Sequence, residues 1–405
     1  MKAGALLYAV ALSLFVAIIS SSFVLYFQFV FQERNVQVKK LQSLLDCNSA
    51  MTFILSDNNL LELGINTIDL FGDNEVKVNI EKKNWGLYHV LIIEPLNFKH
   101  RASALVGNHY NLENRAAIRL NNNNSPLYLA GKTKITGDCY LPNGELKRAN
   151  VDRFHFDGDK LISGSVFKSG KNDFFSHKDA LQRVTDHAGL NDSLIGPENM
   201  NKGIMIYNSF YEKALSISSN SSILLDNDSI IGNVIISSKE YIRITNRAFL
   251  KDVILLAPNI YIEDGFIGQM QCIAFDSIVV SQNCELNYPS ILFASKGIIS
   301  VGKNSRIEGE IIAINYSDVA ENKLRIRIDK DVSIVGLIET SGNVILMGSI
   351  AGGVIANSFT IQAPSYQYTN YLYNAVIDAE LMPIDFACNS ILDLGAGNQI
   401  IKWLE

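Results

Sequence analysis

The side chains able to do acid–base, nucleophilic or metal chemistry are thinly spread along this chain. Six histidines occur, at His89, His100, His109, His155, His177 and His187. Histidine is the usual general base near neutral pH and the commonest metal ligand. None of the six stands in an HExxH string or in triad-like company. The five cysteines, Cys47, Cys139, Cys272, Cys284 and Cys388, form no CxxC pair and match no zinc-ligand spacing. They read as core thiols. Asp226, Asn227 and Asp228 share one polar turn, and Asp329 and Asp331 another. Such turns could gather oxygens around a hard cation, but they read as solvated loops. The GKT in AGKTKI (130–135) lacks the earlier glycine that a phosphate loop requires. DLGAG (393–397) reads as a glycine turn. The expectation is therefore no catalytic residue, no cofactor-binding residue and no metal ligand. The chain is not expected to be an enzyme, and no small-molecule ligand is implied.

Composition narrows the class further. The 405 residues carry a net charge of −6, with 48% apolar and 19% charged side chains. A nucleic-acid partner would want a basic face, and this balance argues against one. The apolar fraction is enough for a large core and about two or three domains. Only eight prolines occur, so long disordered linkers are not expected.

The elements that would position any function begin at the N-terminus. Residues 5–31 contain no charged side chain. About 20 apolar residues span a bilayer as a helix, and a helix satisfies its own backbone where water is absent. A signal-peptide core would be shorter, about 7–15 residues. A retained transmembrane anchor is expected over 1–32, although Ser20, Ser21 and Ser22 interrupt the run. Val36, Leu41, Leu44 and Leu45 keep helical spacing, and NSAMTFILSD (48–57) extends or restarts the helix. Lys2 lies on one side of the anchor, and Arg34, Lys39 and Lys40 on the other. That count alone would favour a cytoplasmic body; the very short N-terminal flank favours the opposite.

The start KAGALLY (2–8) resembles the N-terminus of type IV pilins and type II secretion pseudopilins. In that family a basic residue and a glycine precede a cleavage point, and the hydrophobic helix follows at once. The resemblance implies prepilin-type processing between Gly4 and Ala5, with Lys2 as the basic residue. It also implies an extracytoplasmic body, at the periplasm or cell surface, that assembles with other envelope or filament subunits. Ala3 splits the usual basic–glycine pair, and Ala9 stands at the fifth mature position where the family usually has an acidic residue. The tip-type minor members also lack that acid.

After about Asn74 the pattern becomes alternating. VKVNI (76–80), GLYHVLII (86–93) and ASALVG (102–107) read as strands of a small α+β region, with Trp85 and Tyr88 as core aromatics. Beyond residue 222 a repeat governs the chain. Seven segments between 223 and 355 share an apolar alternating stretch, a polar turn, a small residue with a large aliphatic one, and a second alternating stretch. Their anchors are Val234, Val253, Cys272, Ile291, Ile311, Leu337 and Val354, spaced 19, 19, 19, 20, 26 and 17. The long spacing comes from YSDVAENK (316–323). Stacked repeats would place equivalent residues in ladders, strand upon strand. LAGKTKITGDCYL (129–141) matches VGKNSRIEGEIIA (301–313), with Ile135 on Ile307, Gly137 on Gly309 and Cys139 on Ile311. Cys284 falls in the small-residue turn series with Ser229, Ala248 and Ser305. The repeats resemble bactofilins, the polymer-forming bacterial β-helix proteins, in coil length, aliphatic ladders and turns such as GKNSRIEGEI (302–311).

The expected fold is mainly β: a single-stranded parallel β-helix, right-handed because the strict hexapeptide of left-handed helices is missing. The expected domains are the anchor at 1–32, a helix plus small α+β region at 33–115, the β-helix at 116–361 with an excursion at 143–221, and a cap at 362–405. The excursion holds a helical segment at 177–187, and the cap carries Tyr366, Tyr368, Tyr371 and Tyr373. The functional expectation is a membrane-anchored structural or assembly protein of the bacterial envelope, a minor pilin- or pseudopilin-like subunit. One alternative is a bactofilin-like polymer-forming scaffold. The other is a surface glycan-binding or glycan-cleaving β-helix protein, which would need close carboxylates on an outward strand face; no acidic ladder is legible in the repeats.

Overall fold

The structure is a computed structural model. It describes residues 2–56, 61–72, 76–96, 101–110, 115–152, 154–170, 203–314, 324–362, 366–390 and 397–404. The expected helix at 177–187, the loop at 316–323 and most of the glycine turn at 393–397 lie outside the described residues. The chain divides into two compact units, residues 1–82 with 92–102, and residues 83–91 with 103–405.

The first unit is α+β. One unbroken helix runs Lys2–Ser56, about 80 Å at 1.5 Å per residue. The segment at 48–57 therefore extends the helix rather than restarting it. Ser43, Asp46, Cys47, Ala50, Met51 and Ile54 form its buried stripe, at the 3–4-residue spacing of one helix face. Strand Gly64–Asp69 pairs antiparallel with Lys77–Trp85, from Gly64↔Lys82 to Asp69↔Lys77, and Val78 and Ile80 are fully buried.

Among the described residues, the second unit is built on a closed, almost wholly parallel set of nineteen strands. Between 215 and 362 successive strands pair in parallel, and Gln367–Thr369 pairs antiparallel with Thr360 to Gln362. One inner ladder shows the order. It runs Ile217–Ile236–Leu255–Cys272–Leu292–Ile311–Ile338–Val354. A second runs Leu286–Ile307–Ile334–Ile350–Ile377–Ile135. All these side chains are buried, and burying an Ile or Leu contributes about 1.5–3 kcal/mol. The register corrects part of the expected ladder. Cys272, Ile311 and Val354 lie on it. Val234 and Val253 sit two residues earlier on the same face, whereas Ile291 and Leu337 face outward. Turns of one or two extra residues shift the register, which a constant spacing cannot show. In the turn series Ser229 is likewise one residue off, because Ser229 pairs with Phe249, one residue past Ala248.

Between the two ladders the strands bend at a column of glycines. Gly309, Gly336 and Gly352 have φ of 142°, 142° and 150°. A Cβ on Gly336 would lie 1.9 Å from the Gly309 carbonyl oxygen. Only glycine lets the rungs approach there.

Stacking order departs from chain order. The upstream strand Ala116–Leu120 does not precede the repeats; it follows the last of them, with Val354 paired to Ile118 and Ile118 to Cys139. The rung after Ser349–Gln362 is composite. Val376–Asp378 supplies one side, pairing with Ser349 to Ala351 and then with Lys134 to Thr136, and Ala116–Leu120 supplies another. Tyr371–Tyr373 pairs with Tyr128 to Ala130. Thus part of the segment expected as a cap is a rung of the stack, and Tyr371 stacks on Tyr128 at 4.6 Å. Leu146–Arg148 and Val166–Lys168 add a further layer, so 143–168 stays on the stack. Met205–Asn208 pairs with Ser229 to Gly232 at the opposite end.

Candidate functional site

Two features could carry function: the exposed half of the helix, and a polar cluster hidden in the second unit. Residues 4–42 of the helix are exposed throughout. The helix is long and apolar enough to cross a membrane. Its serines do not break that character. Ser13 Oγ donates to the Val10 carbonyl at 2.9 Å, Ser21 Oγ to Ala17 at 2.5 Å, and Ser22 Oγ to Ile18 at 2.8 Å. A hydroxyl satisfied by the preceding turn can sit in hydrocarbon. Gly4 and Ala5 lie in the first turn, both exposed, and nothing lies within 4 Å of where a Gly4 side chain would point.

The residues singled out in the sequence are mostly structural. Asp226 accepts from Thr245 Oγ1 at 2.6 Å and from Arg247 Nε at 2.8 Å; these bonds hold its carboxyl below the usual range. Asp228 is buried and accepts from the backbone N–H of Ile204 and of Asp226, each at 3.1 Å. Those carboxylates fasten neighbouring rungs. Asp329 accepts from Lys330 N. In the GKT string, Thr133 Oγ1 donates to the Ala130 carbonyl and Lys132 N to Asn374 Oδ1, which closes a turn. His109 bonds Gln399 at 2.5 Å and His155 bonds Asn150 at 2.6 Å. All five cysteines are free and buried; burial pushes the Cys139 thiol up to about 12. Among the described residues no group of three His, Cys, Asp or Glu could hold a metal.

The cluster that sequence reasoning missed lies on the outward face of the rungs that carry the first inner ladder. One outward row reads Ile235, Ile254, Gln271, Ile291, Glu310, Leu337. The next reads Leu256, Ile273, Phe293, Ile312, Glu339, Ile355. Every one of these side chains is buried. These strands are apolar on both faces because this side of the stack is covered. The cover comes from residues 83–91 and from the C-terminal segment, where Ala387–Cys388 and Asn398–Leu404 pair antiparallel with Ala102–His109.

Three polar side chains interrupt the two rows. Gln271 is paired at both ends of its amide: its Oε1 accepts from Leu87 N at 2.8 Å and its Nε2 donates to the Trp85 carbonyl at 3.0 Å. Gly86 has φ 57°, and a Cβ there would strike Gln271 Oε1 at 2.1 Å. Glu310 accepts from Asn389 N and Asn389 Nδ2, each at 2.6 Å, and from Tyr88 Oη at 3.4 Å. Glu339 is 2% exposed, and its Oε1 has no hydrogen-bond partner. Burial pushes the Glu310 carboxyl up to about 7 against the pull of its three donors. It pushes Glu339 to about 8, helped by the nearby Glu310 charge. The available signal was a carboxylate inside an apolar run, in GEIIAI (309–314) and GLIET (336–340), on a face otherwise aliphatic. A buried charge must be paired or neutralised.

No protein-family model and no curated protein matches the chain. Among solved structures, the chain is similar to the competence-associated pilin ComZ from Thermus thermophilus, at 11% identity over 85% of this chain and 87% of that one. The TM-score is 0.25, which does not establish a common fold.

Proposed function

We propose that the chain is a membrane-anchored structural subunit of the bacterial envelope, a minor pilin- or pseudopilin-like component of a secretion or pilus-like filament. In this reading the closed parallel stack is a right-handed parallel β-helix that serves as a rigid extracytoplasmic arm and performs no chemistry. The observation that carries it is the division of the helix Lys2–Ser56. Residues 4–42 expose apolar side chains to the surroundings, and the buried stripe begins only at Ser43. Some 20 such residues need a bilayer or neighbouring apolar helices around them. The likeness of KAGALLY (2–8) to pilin N-termini supports a shared helical assembly with other envelope or filament subunits, and cleavage between Gly4 and Ala5.

N-terminal sequencing of the protein recovered from bacterial membranes tests this reading. A mature chain that begins at Ala5 is the expected result, and Gly4→Val is expected to leave the full-length form. A chain that still begins at Met1 in a cell with active prepilin processing contradicts the pilin-like assignment.

A further inference from the structure

The strap over the outward face of the stack is held at a carboxylate pair that the filament reading does not use. Glu310 gathers donors from the strap: Tyr88 from residues 83–91 and Asn389 from the C-terminal segment. The same strap is closed on itself where Ser390 N donates to the Leu87 carbonyl at 2.8 Å. Glu339, on the next rung, offers a buried oxygen with no donor. The two residues therefore play unequal parts. Glu310 is built to carry a negative charge, because three donors face it. Glu339 is built to carry a proton, because its buried Oε1 has no hydrogen-bond partner and a second buried anion near the first is costly.

We propose that Glu310 and Glu339 are a proton-held clasp: while the pair keeps one proton, residues 83–91 and 387–390 stay fastened to the stack, and loss of that proton to solvent releases them. The step is a simple deprotonation. The O–H bond of Glu339 breaks, the proton leaves on water or buffer, and a second carboxylate remains in a dry site. The other groups around the pair do not compete in this range. Tyr88 and Tyr288 are pushed well up by burial, as is the Cys388 thiol, and Tyr110 is raised to about 12. The cations on this side are Arg115, which donates to the Met382 and Pro383 carbonyls at 2.8 and 2.7 Å, Arg119, which acts with it on Tyr110, and Lys402, which pairs with Asp252; Asp385 is the further carboxylate acting on Tyr288 and Arg115. Two coupled carboxyls titrate as a pair, here from about 7 to about 8, at and just above neutral pH.

Amide hydrogen exchange on the full chain in detergent micelles, from pH 6 to 9 and corrected for intrinsic rates, tests the clasp. Opening at the amides of Leu87, Asn389 and Ser390 should rise about tenfold per pH unit up to the upper titration and then level off. Glu339→Gln should flatten that rise. If Glu339→Gln does not fold, Glu339→Met, which needs no partner, should give the same flattening. A flat wild-type profile overturns the proposal. So does an unchanged slope in the variant, or an equal slope at Ile244 on an uncovered side of the stack.

Discussion

The two faces of the same strands obey different rules. The inward face of residues 309–313 and 336–340 carries Ile311 and Ile338, one link each in an unbroken aliphatic ladder. The outward face carries Glu310 and Glu339, one link each in rows that are otherwise aliphatic. Both faces are fully buried. The inward face is buried by repetition, since each rung covers the next. The outward face is buried by a strap from distant parts of the chain, so its polar residues need particular partners. Repetition tolerates exchange of one aliphatic for another; a strap held by a few donors does not tolerate loss of those donors.

The comparison can be broken most strongly from the inside. Ile338→Ala leaves a cavity between Ile311 and Val354, and should cost about 2–5 kcal/mol in urea denaturation. A loss under about 1 kcal/mol would mean that the ladder is loosely packed. On the outward face, Glu310→Ala strands the Asn389 N–H and amide, and should cost about 1–3 kcal/mol. Glu310→Leu should cost no less, because the same donors remain buried. The uncovered face gives the smallest effect. Arg243 and Glu263 pair across neighbouring rungs at 2.5 Å but are half-exposed, so Glu263→Gln should change stability by less than about 1 kcal/mol.

Acidity separates the faces in a different way. Both carboxyls ionise near 4.5 in an unfolded chain, but only near 7 and 8 when folded. Between those limits the folded state binds more protons, so stability must fall as pH rises from about 5 to 8 and then level off. Thermal melts should therefore be highest near pH 5, and Glu339→Gln should shorten the decline. A melting temperature that climbs over this window would contradict the burial of the pair.

The inward ladders were legible in the sequence, because a repeat near 19 residues writes the same aliphatic pattern again and again. Cys139 and Cys272 could be placed on a ladder from that pattern alone, and Cys139 and Ile311 share one column in the stack, through Ile338, Val354 and Ile118. What was not legible is order. The match of residues 129–141 to 301–313 says that they are alike, not where each docks. The hydrogen bonds of Ala116–Leu120 go to the last repeat rather than the first, and the composite rung needs Val376–Asp378 as well. The clasp was hidden for a related reason. A periodic reading treats polar residues as turns, and nothing in it marks the face of Glu310 and Glu339 as dry; the strap that covers that face comes from distant parts of the chain.

The most direct test of the functional account is the side of the membrane on which the stack lies. Protease added to intact spheroplasts should cut the body, while a cytoplasmic marker stays whole. A body fully protected until the membrane is opened would contradict the extracytoplasmic filament-subunit account, and would favour a scaffold on the cytoplasmic face.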